Sequence, residues 1–110
     1  MEPRFVYVTC KDRDEARAVG RAVVGKRLAA CANIVDGMES IYWWEGELEE
    51  ARECIVLFKT TEVLVERLIE TVKAEHSYDV PCVVVLPIVA GNNEYLQWLG
   101  AETQGELGAE

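Results

Sequence analysis

One histidine and four cysteines are the residues of this chain with the widest reach in nucleophilic, proton-transfer and metal chemistry. His76 lies in His76-Ser77-Tyr78-Asp79-Val80-Pro81, and an imidazole titrating near neutrality suits either a proton carrier or a metal ligand. The plainer reading is a helix-end histidine favoured by the negative pole of the helix dipole. Cys10, Cys31, Cys54 and Cys82 are scattered, with no C-x-x-C pair and no zinc-ribbon spacing. Thiolate and imidazole together suit Cu(I) or Zn(II) better than Mg(II) or Ca(II), and ligands missing from one chain can come from another subunit. Nucleophilic catalysis needs an activated thiol. Cys31 follows an expected helix C-terminus, where the dipole disfavours a thiolate, and Cys82 opens an apolar run. No Walker loop, G-x-S-x-G or H-E-x-x-H occurs. Glu47, Glu49 and Glu50 flank a turn and read as a solvated tip, while Lys59 is either a surface lysine or a group that meets an anion in a cleft. The chemistry points to binding, and the chain is not expected to be an enzyme.

The elements that position these residues follow from periodicity and punctuation. Phe5 to Cys10 is β-branched and aromatic and reads as a first strand. Asp12 is placed to cap a helix, with Glu15 completing a capping box. Ala16, Val19 and Val23 then recur on one face, and that helix is expected to end around Leu28-Ala29-Ala30. A long extended stretch, Cys31 to Trp44, is interrupted near Asp36-Gly37, turns at Glu45-Gly46-Glu47 and resumes from Glu53 to Thr60 as a hairpin. Thr61 is a candidate cap for a second helix carrying Val65, Leu68, Ile69 and Val72 and ending near His76. Cys82 to Leu86 is a continuous apolar run suited to a central or doubly covered strand. Asn92 and Asn93 offer a cap for a short last helix with Tyr95, Leu96, Trp98 and Leu99, followed from Ala101 by an acidic tail expected to fray.

The order is βαββαβ. Right-handed crossovers fold it into an α+β, ferredoxin-like antiparallel sheet with both helices on one face, a long second-to-third-strand hairpin and a short C-terminal helix. In the usual strand order the long second strand lies at the sheet edge. Its rings Tyr42, Trp43 and Trp44 would then invite pairing with another chain, unless the last helix covers them.

Composition sets the outer bounds. At 110 residues, half of them apolar, the chain is expected to form a single domain (1–110) that needs neither disulfides nor metal to fold. The formal charge of −9 argues against a nucleic-acid backbone or an anionic membrane as partner. The start Met-Glu-Pro-Arg-Phe lacks the basic and apolar regions of a signal peptide, so a cytoplasmic location with reduced thiols is expected.

Several segments, in order and with matching spacing from about Phe5 to Leu99, resemble the CutA family of divalent-cation tolerance proteins. They are Leu28-Ala29-Ala30-Cys31-Ala32-Asn33-Ile34, Ser40-Ile41-Tyr42-Trp43-Trp44-Glu45-Gly46, Lys59-Thr60-Thr61, His76 to Pro81, and Leu86-Pro87-Ile88 with Tyr95-Leu96-Trp98-Leu99. The resemblance implies a cytosolic homotrimer similar to the PII-type signalling trimers. It also implies an association with tolerance of copper or another divalent metal, no organic cofactor and no established reaction. By position His76 and Cys31 match family residues, so they are the candidate metal ligands. Tyr42, Trp44, Lys59 and Tyr78 match positions in the cleft between subunits. Ser77 and Lys11 stand where the family often has proline, and Cys10, before Lys11, is a further candidate ligand particular to this chain. A metal-binding trimer and a scaffold for an unknown protein partner both remain open.

Overall fold

The computed structural model describes residues 1–103. The chain runs β1 (Pro3–Cys10), α1 (Arg13–Gly25), β2 (Cys31–Trp44), β3 (Glu47–Thr61), α2 (Val65–Glu75), β4 (Val83–Pro87) and α3 (Asn93–Glu102). The strands form one antiparallel sheet in the order β2-β3-β1-β4, the expected α+β layout. Along β1 and β3, Val6, Val8, Cys10, Cys54, Val56 and Phe58 alternate onto one face. That face packs on Ala16, Val19 and Val23 of α1 and on Leu68 and Val72 of α2 to make the core. Among the described residues no buried side-chain nitrogen or oxygen lacks a hydrogen-bond partner.

Several boundaries differ from the sequence reading. Helix α1 stops at Gly25 rather than near Ala30, because Arg27 turns left-handed at φ 59°. Its N–H donates to the Val24 carbonyl and that of Leu28 to Val23, the paired closure of a Schellman motif, here with arginine where glycine is usual. Leu28 and Ala29, expected in the helix, are core residues of the loop that follows. Thr61 caps no helix through its side chain; a 3-10 turn, Glu62–Leu64, intervenes before α2. β4 is the outer strand on the β1 side, neither central nor doubly covered, and Val84 and Leu86 are exposed. The expected fraying from Ala101 does not hold at its start: α3 continues to Glu102, and the Thr103 hydroxyl donates to the Leu99 carbonyl at 2.8 Å. The rest of that tail lies outside the described residues.

The interruption of β2 is a β-bulge. Asp36 and Gly37 together face Cys54, with Val35 opposite Ile55 and Met38 opposite Glu53. Gly37 has φ +84°, a conformation that glycine accepts without strain. One extra residue reverses the inward–outward alternation for the rest of the strand. Met38, Ser40, Tyr42 and Trp44 therefore share the helix-free face with Glu53, and Ile41 and Trp43 take the other. At the hairpin tip Glu45 (φ 50°) and Gly46 (φ 82°) form the two-residue turn that matches strand twist.

Candidate functional site

Cys10 closes β1, Glu15 lies in the first turn of α1 and His76 follows α2, so the fold converges three chain ends. Asp12 caps α1 by accepting from the Glu15 N–H at 2.9 Å. The Glu15 carboxylate reaches back one residue beyond the cap, accepting from the Lys11 N–H at 3.0 Å and the Ser77 N–H at 2.8 Å. The His76 side chain is fully buried. Its Nε2–H donates to the Thr9 carbonyl at 2.7 Å, and Nδ1 lies 3.2 Å from the Tyr78 backbone nitrogen. Nδ1 lies 3.9 Å from Glu15 Oε1. Ligand atoms of Cys10, Glu15 and His76 all lie within 4.8 Å of one another, the one such group among the described residues.

The donor set fits a borderline-soft cation. A thiol sulfur, an imidazole nitrogen and a carboxylate oxygen are ligands of zinc and copper rather than of calcium or magnesium. An Nε2–H anchored on a backbone carbonyl is the second hydrogen bond that orients a ligating histidine through its other nitrogen. Against this, burial first, then the charge of Glu15 and the neighbouring Cys54, push the Cys10 thiol up to about 12. Cys10 is thus a protonated thiol and no nucleophile, and a metal would have to displace its proton.

Glu15 carries a stability prediction. Burial pushes its pKa up, but hydrogen bonds from Ser77 and the Lys11 backbone, together with His76, outweigh this and leave it below the ordinary value. A carboxylate with a depressed folded pKa contributes stability that is complete above its unfolded pKa and is lost as pH falls through the folded one. Glu15→Gln is therefore expected to lower stability at neutral pH and to flatten the decline below about pH 4.3. Urea unfolding from neutral to acidic pH tests this; parallel curves for the two proteins would remove Glu15 from the acid response.

Directly beyond Thr9, Ser77 and Tyr78 opens a cleft of about 800 Å³ on the helix-free sheet face. Tyr7, Tyr42, Trp44 and Tyr78 line it with rings, and Glu39, Glu53 and Asp79 supply its charge. Tyr78 packs against the His76 ring, centroids 4.7 Å apart, and its hydroxyl donates to Glu53 Oε2 at 2.8 Å. Burial and then the Glu53 carboxylate raise the Tyr78 pKa.

Of the sequence-predicted residues, the structure brings Cys10 to His76, and Tyr42 and Trp44 to Tyr78. Cys31 and Lys59 are elsewhere. They pair across β2 and β3, with Lys59 five positions along β3 from Cys54, the partner of Cys10. That is about 17 Å at strand rise. Lys59 Nζ donates to Asn33 Oδ1 at 3.1 Å and lies 5.6 Å from the centre of the Tyr95 ring, and the Cys31 sulfur is 3.8 Å from the Tyr95 hydroxyl. Within one chain, then, Cys31 does not join His76 and Lys59 does not line the cleft. α3 covers this end of the sheet, not the hairpin rings: Trp43 remains 72% exposed. Sequence reasoning missed two residues. Glu15 was legible only as a capping residue, and Glu53 only as part of a strand.

The family model described as CutA1 divalent ion tolerance protein matches residues 4–102. The chain belongs to this family. It is 49% identical over 98 residues to the divalent-cation tolerance protein CutA of Thermus thermophilus, covering 89% of this chain and 95% of that one. The chloroplastic CutA 1 of Oryza sativa is 46% identical over 99 residues, 90% of this chain. The chain spans about half the length of the plant relatives it matches, 56% of the rice protein and 54% of the chloroplastic CutA of Arabidopsis thaliana. Among solved structures, the divalent cation tolerance protein of Thermus thermophilus superposes with a TM-score of 0.90 at 48% identity, over 92% of this chain and 98% of that one. The rice CutA1 structure gives 0.91 at 44% identity, with 94% of each chain covered. The long hairpin and the three helices are thus family architecture.

Proposed function

We propose that this protein is a non-catalytic homotrimer that takes up a thiophilic metal ion, copper or zinc, and so contributes to divalent-metal tolerance. The observation that carries this reading is the convergence of Cys10, Glu15 and His76 within 4.8 Å, immediately behind the wall of the aromatic cleft. His76 Nδ1 would be the imidazole ligand, with Nε2–H held by Thr9 as orienting bond. Cys31 takes no part within the chain and could contribute only to a site between subunits. The trimer is supported by family membership and by the uncovered rings at the hairpin edge.

The test is native mass spectrometry of the reduced protein, titrated anaerobically with Cu(I) and then Zn(II). Three chains taking up metal in whole steps are expected, and His76→Ala should weaken uptake at least about tenfold, the loss of roughly 1.4 kcal/mol. Uptake unchanged within about twofold would remove the histidine from the site. One observation favours a second reading, in which the trimer is a scaffold for a protein partner and metal effects are indirect. Glu15 and His76 are already satisfied by Lys11, Ser77, Thr9 and Tyr78, so they do not need an ion. Diffuse uptake without steps, with the trimer intact and a partner retained after metal stripping, would put the scaffold first.

A further inference from the structure

Cys54 takes part in neither the metal group nor the aromatic cleft. It is nevertheless directly opposite Cys10 in the β1–β3 ladder, and both side chains are fully buried on the helix-covered face of the sheet. Opposed residues of antiparallel strands have Cα atoms about 4.5–5.5 Å apart, inside the span of roughly 4.4–6.8 Å that a disulfide bridges. The other two cysteines have no such partner: Cys31 faces Lys59, and Cys82 precedes β4. The ladders are also interrupted at this position. β1 ends at Cys10, and β2 bulges at Asp36 and Gly37 opposite Cys54, so the backbones can adjust to a shorter sulfur–sulfur distance without breaking a continuous run of pairs. A recess of about 380 Å³ opens beside the pair, with Lys11, Asp12, Arg13, Asp36 and Gly37 in its lining. Asp36, Arg13 and Asp12 are the charged groups that act on the Cys54 sulfur, which sets that sulfur beneath the floor of the recess.

We propose that Cys10 and Cys54 are a redox-active dithiol, which closes to a cross-strand disulfide when a low-molecular-weight disulfide is abundant and reopens when the corresponding thiol is restored. Cys54, beneath the recess, attacks one sulfur of the small disulfide; a mixed disulfide forms, and the first small thiolate leaves with the Cys54 proton. The Cys10 sulfur then attacks the Cys54 sulfur, the bond between the strands forms, and the second small thiolate leaves with the Cys10 proton. Two protein thiols are oxidised and one small disulfide is reduced to two thiols. Burial makes the first step slow, on the order of minutes to hours without a catalyst. The second step needs no encounter, because the register already sets Cys10 against Cys54. The bond has a consequence for the neighbouring group. A Cys10 sulfur bonded to Cys54 is no longer a thiolate ligand, so oxidation withdraws one of the three atoms that converge from Cys10, Glu15 and His76. That consequence rests on the metal reading; the bond itself does not.

The experiment holds the full chain, in its native assembly and with a metal chelator present, in glutathione buffers from fully reduced to fully oxidised. Remaining thiols are then alkylated in denaturant and the peptides are mapped by mass. The expected result is a Cys10–Cys54 linkage in most chains at the oxidised end, lost again when reduced glutathione is restored. Mixed disulfide confined to Cys31 or Cys82, with Cys10 and Cys54 both alkylated, would overturn the proposal. So would a Cys10–Cys54 linkage that forms only in a chain already unfolded by urea. In Cys54→Ala, Cys10 should stay a free thiol throughout; its oxidation in that folded variant would give it a different partner and overturn the pair. Zn(II), which has no redox chemistry of its own, reads the consequence once the chelator is removed. The oxidised chain should bind it at least about tenfold more weakly than the reduced chain, whereas Cys54→Ala should bind it equally after either buffer. A reduced chain that takes up no metal would end the metal reading and leave the disulfide standing. Failure of the linkage to form would end the proposal whatever the metal result.

Discussion

Phe58→Ala is expected to lower the unfolding free energy by about 3–5 kcal/mol, the cost of removing a large buried aromatic and leaving a cavity. Phe58 lies in β3, the strand paired on both sides, opposite Val6 of β1 and Ala32 of β2. It is the largest fully buried side chain of the described residues, and the core around it includes Leu28, Leu64 and Leu68. A strand hydrogen-bonded on both edges cannot move inward to close the void, so relaxation recovers little. Against a total stability of about 5–15 kcal/mol, such a loss leaves a marginal fold. Guanidinium unfolding checks it: the midpoint should fall with the slope unchanged. A loss below about 1 kcal/mol would mean that the core repacks around the missing ring, contrary to the close packing of protein interiors.

Trp43→Glu is expected to convert a mass of three chains into one at micromolar concentration while leaving the monomer folded. Trp43 pairs across the hairpin with Leu48, and Ile41 lies on the same face, all three exposed in the single chain. Truncation within the monomer therefore costs little. If this stripe is the surface by which the proposed trimer assembles, the substitution removes a large apolar contact and forces an unpaired carboxylate into its place. Native mass and sedimentation at several concentrations report the result, since assembly-linked stability depends on concentration. A variant still three chains in mass would move the subunit contact away from the hairpin, with the exposed Val84 and Leu86 of β4 as the next surface to alter.

Much of this molecule was legible in the amino-acid sequence. Strong periodicity located α1 and α2, glycine and proline punctuation located the turns, and the capping signals at Asp12 and Asn92 each proved to accept a backbone N–H. These are local devices, settled by residues within a few positions of one another. Ordered motifs gave the family, which the comparisons bear out. Errors occurred where a local signal met a long-range one. The apolar run Val83-Val84-Val85-Leu86 resembles a doubly covered strand, yet it lies at an edge, because strand order is fixed by crossovers and not by composition. Leu28 and Ala29 imitate a continuation of α1, yet they are apolar for the core and not for a helix face.

The site divides along the same line. Residue type alone marked His76 and Cys10 as possible ligands and Tyr42, Trp44 and Tyr78 as cleft residues. Nothing local could bring Glu15 to them or separate Cys31 and Lys59 from them, because those distances depend on which strands pair and in what register. The bulge at Asp36-Gly37 is the clearest case. By simple alternation Tyr42 and Trp44 would share the face of Ala32 and Ile34, toward α1 and α2. One unpaired residue reverses the alternation and turns both rings to the side of Glu53. Side-chain identity is written in the sequence, whereas the face a side chain occupies is decided by the hydrogen-bond register with β3, which exists only once the sheet has formed.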